Sequence, residues 1–512
     1  MHVIVPMAGH SRRFEAGGLR GPKAMLPVAG RPMIERVLAM FSPDDTFHVV
    51  VNVGQLEANP GLPATLLAMA PDVRVTTVPM HDDGPVRSML AAEGIPDDAP
   101  VLVSYCDFLL QWDYPGVLAE WDGEHGAIVT FRGFQPASFG DTLFAHLRVD
   151  EDGHLLELRE KGCFTDDRTT EHASAGVYGF PRWDDARRLA MRRLANFVPE
   201  PPLEECYVSL LMNDLRDEQV PVRVFEAERF ACLGTPEDYH QFEGWHRELS
   251  VPAPASPEGE GLTLLPLAGR GQRFVDAGFT TPKALIPVRG APMTVRATAS
   301  LPRTPQLRFA LRADAVEGPL PSALTEAFPH GQTVVIRGET SGQAATCLQA
   351  LTPDDHDAPL LIASCDYEAR YDADAWTAVT EDPSVDVAIW TVRPGDDLFA
   401  PWTAYAWCRE EHGGVSQLSE KRTISATPRH DPLAIGTFWF RRAGDFVDAA
   451  TSMIERGTTV GGEHYVGTSI NELIEAGKRV VLFEVDRWTC FGTPFELHLL
   501  QWWQAWFESS GE

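Results

Sequence analysis

Two stretches of the chain combine glycine, arginine and a proline–lysine pair directly after a short apolar run. The first reads VIVPMAGHSRRF and then GPKAMLPVAGRPM, and the second reads LTLLPLAGRGQRF and then TPKALIPVRGAPM. A glycine-containing turn after a strand lets backbone N–H groups approach a phosphate closely. Neither stretch has the GK[ST] ending of a P-loop or the GxGxxG of a dinucleotide fingerprint. They predict a phosphate-binding loop of another kind, with an ordinary tight turn as the alternative for the glycines alone.

The two stretches belong to a long internal repeat. They align without gaps, and Ala8 returns as Ala268, 260 positions later. The likeness continues downstream, where VLVSYCDFLLQWD returns as LLIASCDYEARYD, LLELREK as VSQLSEK, SAGVYGF as AIGTFWF and CYVSLLMNDL as HYVGTSINEL. A period this long indicates a duplicated domain and not a solenoid. The recurrence of the cations at the same spacing favours phosphate binding over a simple turn.

The elements that must position these residues are short apolar strands alternating with amphipathic segments such as MIERVLAMF and GQAATCLQAL. Continuous Val/Ile/Leu strands alternating with helices predict a mostly parallel sheet covered on both faces, a Rossmann-like α/β/α domain in each half. Ligands of such sheets bind at the carboxyl ends of the strands, where the loops and the Cys-Asp pairs fall. The predicted strands are 3–5, 48–53, 73–78, 101–104 and 127–131 in the first half, and 262–265, 308–311, 333–336, 360–364 and 387–391 in the second.

The domain organisation follows from the repeat. We predict one domain over 1–249, a semi-rigid linker over 250–260 that is rich in Pro, Ala and acid, and a second domain over 261–512.

Together the motifs resemble the sugar-phosphate nucleotidyltransferase family, whose signature is Gly-x-Gly-x-Arg-Phe/Leu followed by Pro-Lys-x-Leu-x-Pro-Val-x-Gly-x-Pro-Met. The second half carries it as GRGQRF and PKALIPVRGAPM, and the first half as GHSRRF and PKAMLPVAGRPM. The resemblance covers essentially the whole of both halves. It is closest to the branch found among capsule and surface-polysaccharide genes, through the Cys-Asp, Glu-Lys, Asn-Glu-Leu and Gly-Thr-Pro segments. It implies a GT-A-like fold and transfer of a nucleotide from an NTP to a sugar phosphate, with release of pyrophosphate.

The resemblance also implies roles for individual residues. The cations that hold the phosphates would be Arg273, Lys283 and Lys421 in the second half and Arg13, Lys23 and Lys161 in the first. The nucleotide would lie against Ala268, Gly269, Gly271, Gly342 and Gln343, and against Ala8, Gly9 and Gly84. The acceptor would lie against Glu420 and Gly436, and against Glu160 and Gly176. For Lys161 and Lys421 the alternative is a solvated surface lysine.

A divalent metal, Mg²⁺ or Mn²⁺, is the cofactor that the resemblance implies, bound by Asp366 and Asp107. The alternative for each is a cap on the following helix. Many relatives carry a second ligand, an Asp just before the Gly-Thr-Pro, but this chain has Cys232-Leu233 and Cys490-Phe491 there. Further ligands would then come from the nucleotide. Thr235 is expected near the N-cap of a helix whose first residue is proline.

The two halves are not equal in their motifs. The second half keeps the segment GETSGQAATCLQA, whereas the first half has HDDGPVRSMLAA, with Pro85 at the position of Gln343 and two Asp before Gly84. Ser11 stands where the second half has Gly271, at a position that needs a positive φ or a close backbone approach. We therefore expect the second half to be the better catalyst, and the first to be a diverged enzyme or a binding domain.

Composition limits the partners. Asp and Glu outnumber Lys and Arg by 73 to 43, for a formal charge of -30, which disfavours nucleic acid and anionic lipid as partners. The sequence shows neither a signal peptide nor an apolar run long enough for a membrane span, and its eight cysteines follow the repeat without a CxxC, so we expect a cytoplasmic protein. Two alternative functions stay open, a glycosyltransferase of related fold and a non-catalytic nucleotide-binding protein. The Pro-Lys segment argues against the glycosyltransferase, and pyrophosphate release separates both from the favoured enzyme.

Overall fold

A computed structural model describes residues 1–121, 123–140, 142–252, 255–394 and 401–510 of the chain. The chain forms two compact units, one of Met1–Arg247 together with the chain from Trp506 onward, and one of Glu248–Ala505. Ala253 and Pro254, within the segment predicted as a linker, lie outside the described residues.

The second unit begins just before the predicted linker, and its own contacts give the reason. The Glu248 carboxylate is 3% exposed and forms ion pairs with Arg289 and Arg370, at 3.2 and 2.8 Å. Further along, Arg303 donates its backbone N–H to Pro257 O at 2.8 Å, and its carbonyl accepts from Gly259 N at 2.7 Å. These residues of the predicted linker therefore pack as part of the second unit.

The first unit has a central sheet of which the first four strands, in the spatial order given next, are parallel to one another. Its strand order is Val73–Val78, Thr46–Asn52, His2–Pro6, Val101–Ser104, His172–Phe180, Gly126–Phe131 and Val222–Glu226. His172–Phe180 runs antiparallel to both neighbours, and Val222–Glu226 pairs parallel with Gly126–Phe131. A hairpin of His146–Val149 and Leu155–Arg159 continues the sheet from the start of His172–Phe180. All five strands predicted for this half lie in the sheet.

The second unit repeats this order strand for strand. It runs Gly331–Ile336, Gln306–Arg312, Leu262–Leu267, Leu360–Ala363, Leu433–Phe440, Val387–Val392 and Val480–Glu484, with the hairpin of Ala406–Glu411 and Gly414–Glu420 attached to Leu433–Phe440. The predicted fold class, two tandem α/β domains with mostly parallel sheets, is confirmed. The strands Leu433–Phe440 and His172–Phe180 were not predicted, because they mix small and aromatic residues and have no aliphatic run.

Short strands and helices complete each unit. The remaining strands are Pro27–Val28, Arg31–Pro32, Phe108–Gln111 and Arg229–Cys232, and in the second unit Pro287–Val288, Ala291–Pro292, Tyr367–Arg370 and Arg487–Cys490. The helices of the first half are Arg12–Ala16, Met33–Leu38, Val53–Ala58, Leu62–Leu67, Pro85–Met89, Tyr114–Glu120, Trp183–Asn196, Ser209–Asp217 and Pro236–Ser250. Those of the second are Gln272–Asp276, Met293–Ala299, Ala313–Val316, Leu320–Ala327, Gln343–Ala350, Ala373–Glu381, Ala443–Glu455, Val466–Glu475 and Pro494–Ser510. Short 3₁₀ turns include Lys23–Met25 and Lys283–Leu285, at the Pro-Lys segments.

Both faces of the sheet are covered, as successive residues of the central strands show. Leu264 and Ile362 belong to one apolar cluster, whereas their neighbours Leu265 and Leu361 belong to another. Side chains of a strand alternate between its two faces, so the clusters lie on opposite sides of the sheet. The edge at the carboxyl ends of the parallel strands carries the phosphate loop, which follows the strand His2–Pro6 or Leu262–Leu267.

Candidate functional site

A cleft of about 410 Å³ lies at the carboxyl edge of the first sheet. Its wall includes the predicted residues Ala8, Gly9, Arg13, Lys23, Gly84 and Asp107. Tyr105, Glu205 and Tyr207 line it as well, on the side of the Glu-Lys segment. Glu160, Lys161 and Gly176 do not line this cleft but lie directly behind its tyrosines.

An ion pair joins the predicted phosphate lysine to the predicted metal ligand in each half. The Lys23 Nζ donates to Asp107 Oδ2 at 2.7 Å, and the Lys283 Nζ donates to Asp366 Oδ2 at 2.5 Å. Burial disfavours the charged lysine, but the adjacent carboxylate outweighs it and raises the pKa of Lys283. The ammonium group therefore stays charged, as a group that binds phosphate must.

The lysine also packs on the phenylalanine of the phosphate loop. Its Nζ lies 5.6 Å from the ring centroid of Phe14 in the first half, and 5.7 Å from that of Phe274 in the second. A cation over an aromatic face at this distance is attracted by the ring. The phenylalanine that follows the loop arginine thus holds the lysine ammonium group next to the loop.

The Asp107 side chain does not cap a helix, so that alternative is wrong. The chain after Asp107 enters the strand Phe108–Gln111, and the next helix is capped by Asp113, which accepts from Gly116 N at 3.0 Å. In the second half Asp372 caps the corresponding helix, accepting from Asp374 N at 2.8 Å. The side chains of Asp107 and Asp366 instead accept hydrogen bonds from Lys23 and Lys283.

The Gly-Thr-Pro turn lies against the same carboxylate. A Cβ built on Gly234 would stand 3.5 Å from Asp107 Oδ2, and one on Gly492 only 2.8 Å from Asp366 Oδ2. A side chain in the second turn would therefore press on the carboxylate. The predicted cap at Thr235 is confirmed, because its Oγ1 accepts from Asp238 N at 3.1 Å at the start of the helix Pro236–Ser250.

The donor atoms near Asp107 suit a metal that takes most of its ligands from a substrate. The Cys232 thiol, shortly before the Gly-Thr-Pro turn, donates to Asp238 Oδ2 at 3.2 Å, and burial raises its pKa well above the usual value. Within the described ranges no group of three or more His, Cys, Asp or Glu side chains could hold a metal. One carboxylate per half fits Mg²⁺, which is often held by one or two carboxylates and substrate phosphates.

The phosphate loop has the same conformation in both halves. Ser11 has φ 56° and Gly271 has φ 64°, which confirms that this position needs a positive φ. A left-handed serine costs about 1–2 kcal/mol, but the Ser11 Oγ accepts from Lys23 N at 3.0 Å and so ties the loop to the lysine. A Cβ on Gly271 would lie 2.8 Å from Lys283 Cβ. Serine is thus accommodated in the first half, where its hydroxyl has a partner.

The acidic residues at the rim of the first cleft are paired. Asp82 lies 3.1 Å from an Arg12 nitrogen and 3.2 Å from the His10 ring, and Asp83 lies 3.2 Å from Arg87. The second half has a comparable pair at the rim, Arg270 with Glu339. The negative charge expected near the first loop is present, but cations lie beside it.

A buried Asn–Gln pair that sequence reasoning missed holds the first phosphate loop. Asn52 Nδ2 donates to Ala8 O at 2.8 Å, and Gln55 Nε2 donates to Met7 O at 2.8 Å and to Gly9 O at 3.3 Å. The two side chains also cap the helix Val53–Ala58 reciprocally. Only the N-x-x-Q spacing after a strand signals this pair in the sequence.

The second half has no such pair. Arg312 stands at the position of Asn52 and forms an ion pair with Asp314 at 2.6 Å. Ala315 at the position of Gln55 has no side-chain donor. The first loop is therefore the better anchored of the two, although its motif is less similar to the family signature.

Gly84 and Gly342 allow two loops to touch. In the first half Cys206 N donates to Asp83 O at 3.1 Å and Cys206 O accepts from Val86 N at 3.3 Å. In the second, His464 N donates to Ser341 O at 2.8 Å and His464 O accepts from Ala344 N at 3.0 Å, beside Gln343 at the start of its helix. These bonds join the loop predicted to contact the nucleotide to the segment that leads into Tyr207 or Tyr465. A Cβ on Gly342 would lie 2.5 Å from His464 N.

An asparagine positions the Glu-Lys segment in each half. Asn213 accepts from Leu158 N at 3.1 Å and donates to Leu158 O at 2.9 Å. Asn471 makes the same two bonds with Leu418, both at 2.9 Å. The asparagine belongs to the Asn-Glu-Leu segment noted in the sequence, and the bonds fix the strand two residues before the glutamate.

The lysines of the Glu-Lys pairs adopt a left-handed backbone, with φ 52° at Lys161 and 55° at Lys421. The Lys161 Nζ lies 4.9 Å from the ring centroid of Tyr207 and donates to Pro202 O at 3.1 Å. The Lys421 Nζ lies 4.9 Å from the ring centroid of Tyr465. Because Tyr207 lines the cleft, Lys161 lies beside the cleft wall, and its role toward an acceptor phosphate stays a prediction.

Gly176 and Gly436 let a neighbouring strand approach. Their φ values are 89° and 90°, and each carbonyl accepts a hydrogen bond from the residue two before the Cys-Asp aspartate. A Cβ on Gly176 would lie 2.8 Å from Phe108, and one on Gly436 would lie 2.7 Å from Ser364 Oγ. The two glycines therefore let Phe108 and Ser364 pack against the strand, and their predicted contact with an acceptor stays a prediction.

Comparisons with known proteins agree with part of this picture. Residues 3–162 match the model of the MobA-like NTP transferase domain, a match to the half ranked second from its motifs. No curated protein matches the chain. Among solved structures, similarity is found to the nucleoside-diphosphate-sugar pyrophosphorylase from Vibrio cholerae RC9, at 20% identity and TM-score 0.37 over 46% of this chain and 98% of that one.

Two further solved structures share the similarity. The inositol-1-phosphate CTP transferase from T. maritima is 11% identical with TM-score 0.36, over 50% of this chain and 98% of that one. The UDP-glucose pyrophosphorylase from Acinetobacter baumanii is 12% identical with TM-score 0.35, over 47% and 92%. The family match supports nucleotidyl transfer as the chemistry of the first half. None of the helices in the described part of the chain is long and apolar enough to cross a membrane.

The first prediction concerns the contact at Gly342. Gly342→Ala is expected to destabilise the protein by at least about 2 kcal/mol, because the added methyl group meets the His464 backbone. Gly338→Ala is the matched control, since Gly338 also has a positive φ, 70°, but open space around it. Urea unfolding of the full chain measures both, and an equal loss in the two variants would contradict the role of the contact.

The second prediction uses the buried Glu420. Burial raises the pKa of Glu420 to about 7, while the Lys421 charge opposes the rise. A carboxyl group whose pKa is higher folded than unfolded stabilises the fold below its unfolded pKa of about 4.3, and this contribution is lost as pH rises through the folded pKa. Glu420→Gln is therefore expected to match wild type near pH 4 and to exceed its stability by about 1–2 kcal/mol at pH 8.

Urea unfolding of the wild type and of Glu420→Gln at both pH values measures this difference. Glu160→Gln is the control, because a hydrogen bond from Ser209 opposes the rise in the pKa of Glu160. We expect a smaller gain at pH 8 in the control. A stability difference for Glu420→Gln that does not change with pH would refute the assignment.

Proposed function

We propose that the protein transfers a nucleotide from an NTP to a phosphorylated sugar or sugar-like polyol, forming an NDP-activated product and pyrophosphate. The observation that carries the proposal is the lysine–aspartate pair beside a glycine-containing loop, built twice in one chain. The family match over residues 3–162 supports it. Such products supply surface polysaccharide synthesis, the purpose that the sequence resemblance favours.

In this reaction the protein forms no covalent bond with the substrates; it binds and orients them. An oxygen of the acceptor phosphate attacks the α-phosphorus of the NTP, and the bond from that phosphorus to the bridging oxygen breaks. Pyrophosphate leaves with the electron pair of that bond. The attacking oxygen is already ionised at pH 7, so no general base is needed, and the barrier is set by bringing two anions together.

The residues at the edge of each sheet meet that requirement. Arg13 and Lys23, or Arg273 and Lys283, would bind the triphosphate beside the backbone N–H groups of the loop. Lys161 or Lys421 would bind the acceptor phosphate. Because these cations are gathered at one edge, a net charge of -30 is compatible with two anionic substrates.

Asp107 and Asp366 would hold Mg²⁺ or Mn²⁺ in this proposal. The metal, when bound, would neutralise charge on the phosphates of the NTP. The aspartate pairs with the lysine in the structure described here, so phosphate binding to the lysine would free the carboxylate for the metal.

The third prediction tests the two lysines. Lys283→Ala is expected to lower pyrophosphate release from the second half by about 10²-fold or more, because a preorganised cation is removed from the transition state. Lys23→Ala should do the same in the first half, and the double variant should lose both activities. Lys478→Ala, a lysine of the second unit that pairs with Asp445, is the control.

The measurement is pyrophosphate release by the full chain with each NTP and a set of sugar and polyol phosphates. Release by the double variant at the wild-type rate would refute the proposed site. A glycosyltransferase or a non-catalytic nucleotide-binding protein would release no pyrophosphate from the wild type either.

The fourth prediction concerns the metal. Activity should disappear in EDTA and return with Mg²⁺ or Mn²⁺, and Asp366→Asn and Asp107→Asn should each silence their own half, since a neutral amide ligates the metal poorly. Asp374→Asn, at an exposed position in the same unit as Asp366, is the control. Full activity in EDTA would contradict the assignment of both aspartates.

A further inference from the structure

The glutamate of the Glu-Lys pair occupies the same place in both halves, as Glu160 and Glu420, but the side chains around it differ. In the first half, Ser209 donates a hydrogen bond to Glu160, and Ser174 Oγ donates to Tyr178 OH at 2.8 Å. The Tyr178 hydroxyl also interacts with Ser209 and Tyr105, and the Glu160 charge raises the pKa of Tyr178 further after burial. The Glu160 carboxylate therefore accepts a hydrogen bond from Ser209 and lies in a network of protein hydroxyl groups.

Every hydroxyl-bearing member of that network is altered in the second half. The corresponding residues are Ser364 for Tyr105, Ala434 for Ser174, Phe438 for Tyr178 and Gly467 for Ser209. The strand pairing confirms two of these positions. Tyr178 pairs with Val103 as Phe438 pairs with Ile362, and Ser174 pairs with Thr130 as Ala434 pairs with Thr391. Four changes around one glutamate alter a single local function together.

Glu420 consequently lacks the partners that Glu160 has. Among the described residues no side chain donates a hydrogen bond to its carboxylate, and Lys421 is the nearby opposite charge. Gly467 lets this carboxylate pack directly against its backbone, since a Cβ on Gly467 would collide with Glu420 Oε1. A carboxylate that burial removes from water and that has no donor is a ready acceptor for a hydroxyl group of a ligand.

Tyr105 separates Glu160 from the cleft in the first half. Its side chain lines the cleft, and its ring centroid lies 5.7 Å from that of Tyr178. Its hydroxyl accepts from Val208 N at 3.1 Å, which fixes the ring in place. The backbone at this position is the same in both halves, because Tyr105 N donates to Gly176 O at 3.0 Å and Ser364 N to Gly436 O at 3.1 Å. The small Ser364 side chain therefore takes, in the second half, the position of the phenol ring that lines the cleft in the first.

We propose that the two halves take different acceptors. The acceptor site of the second half extends past Ser364 to Glu420, which accepts a hydrogen bond from a hydroxyl of a sugar phosphate, whereas that of the first half ends at Tyr105 and takes a smaller alcohol phosphate. This inference rests on the proposed function, and it assigns Ser364 and Tyr105 as the residues that determine acceptor size. Glucose 1-phosphate and glycerol 3-phosphate are suitable probes of the two sizes.

The test measures binding of each probe to the full chain by calorimetry, with one acceptor site removed at a time. Lys161→Ala leaves the second site, and Lys421→Ala leaves the first. In the Lys161→Ala chain, glucose 1-phosphate should bind, and adding Ser364→Tyr or Glu420→Gln should weaken it at least tenfold. Glu420→Gln keeps the size of the side chain, so it tests the site even if Ser364→Tyr fails to fold.

In the Lys421→Ala chain, glycerol 3-phosphate should bind and glucose 1-phosphate should not. Tyr105→Ser should then admit glucose 1-phosphate, and Tyr105→Phe, which keeps the ring, should not. The proposal is overturned if Ser364→Tyr and Glu420→Gln leave glucose 1-phosphate binding unchanged, if both sites bind the two probes alike, or if neither probe binds.

Binding and turnover separate this inference from the proposed function. If the probes divide between the sites as expected but no NTP yields pyrophosphate, the division of acceptors stands and the transfer reaction does not. If pyrophosphate is released and the variants at Ser364, Glu420 and Tyr105 leave the acceptor KM unchanged, the reaction stands and the division is wrong.

Discussion

The ion pair between the Pro-Lys lysine and the Cys-Asp aspartate is the interaction around which each site is organised. Lys23 and Asp107 come from segments more than eighty residues apart, and their contact brings the loop after the first strand to the end of the fourth. The Gly-Thr-Pro turn leaves room for the aspartate, and the loop phenylalanine supports the lysine. The turn and the phenylalanine thus hold an ammonium group and a carboxylate next to each other at the edge of the sheet.

The duplication shows which features the site can exchange and which it keeps. Both halves keep the ion pair, the left-handed loop position, the asparagine that bonds the strand of the Glu-Lys segment and the close contact at Gly84 or Gly342. They differ in how the loop is anchored, by Asn52 and Gln55 in the first half alone, and in what surrounds the glutamate. The ranking of the halves by motif alone therefore omitted the anchoring of the first loop, and the family match falls on that half.

The sequence predicted the strands, the repeat and the residues that meet at the edge because each depends on local patterns. Val/Ile/Leu runs identify central strands, and parallel strands bring their carboxyl ends together whatever the details of packing. The position of Asp107 and Asp366 at this edge follows from that rule, whereas their pairing with Lys23 and Lys283 is seen only in the structure. The roles of these residues toward substrates stay predictions.

Other features could not be predicted, for physical reasons. The bonds from Asn52 and Gln55 to loop carbonyls join groups whose distance only the fold defines. The hydroxyl network around Glu160 depends on four residues from three separate segments, each ordinary by itself. The antiparallel strand His172–Phe180 lacks the aliphatic run of its neighbours because Gly176 and other small residues make room for Tyr105 and Phe108.

The contact between the two loops at Gly84 and Gly342 has a consequence for how such a site can change over time. The opposing residue is Cys206 in one half and His464 in the other, and both use only backbone atoms for the two hydrogen bonds. The contact therefore does not depend on the Cys206 side chain, whereas His464 adds a bond from its ring, with Nδ1 2.8 Å from Ser341 Oγ, and the glycine is required in both halves. During divergence of the two halves, the side chain at 206 could therefore change while the backbone hydrogen bonds between the two loops stayed the same.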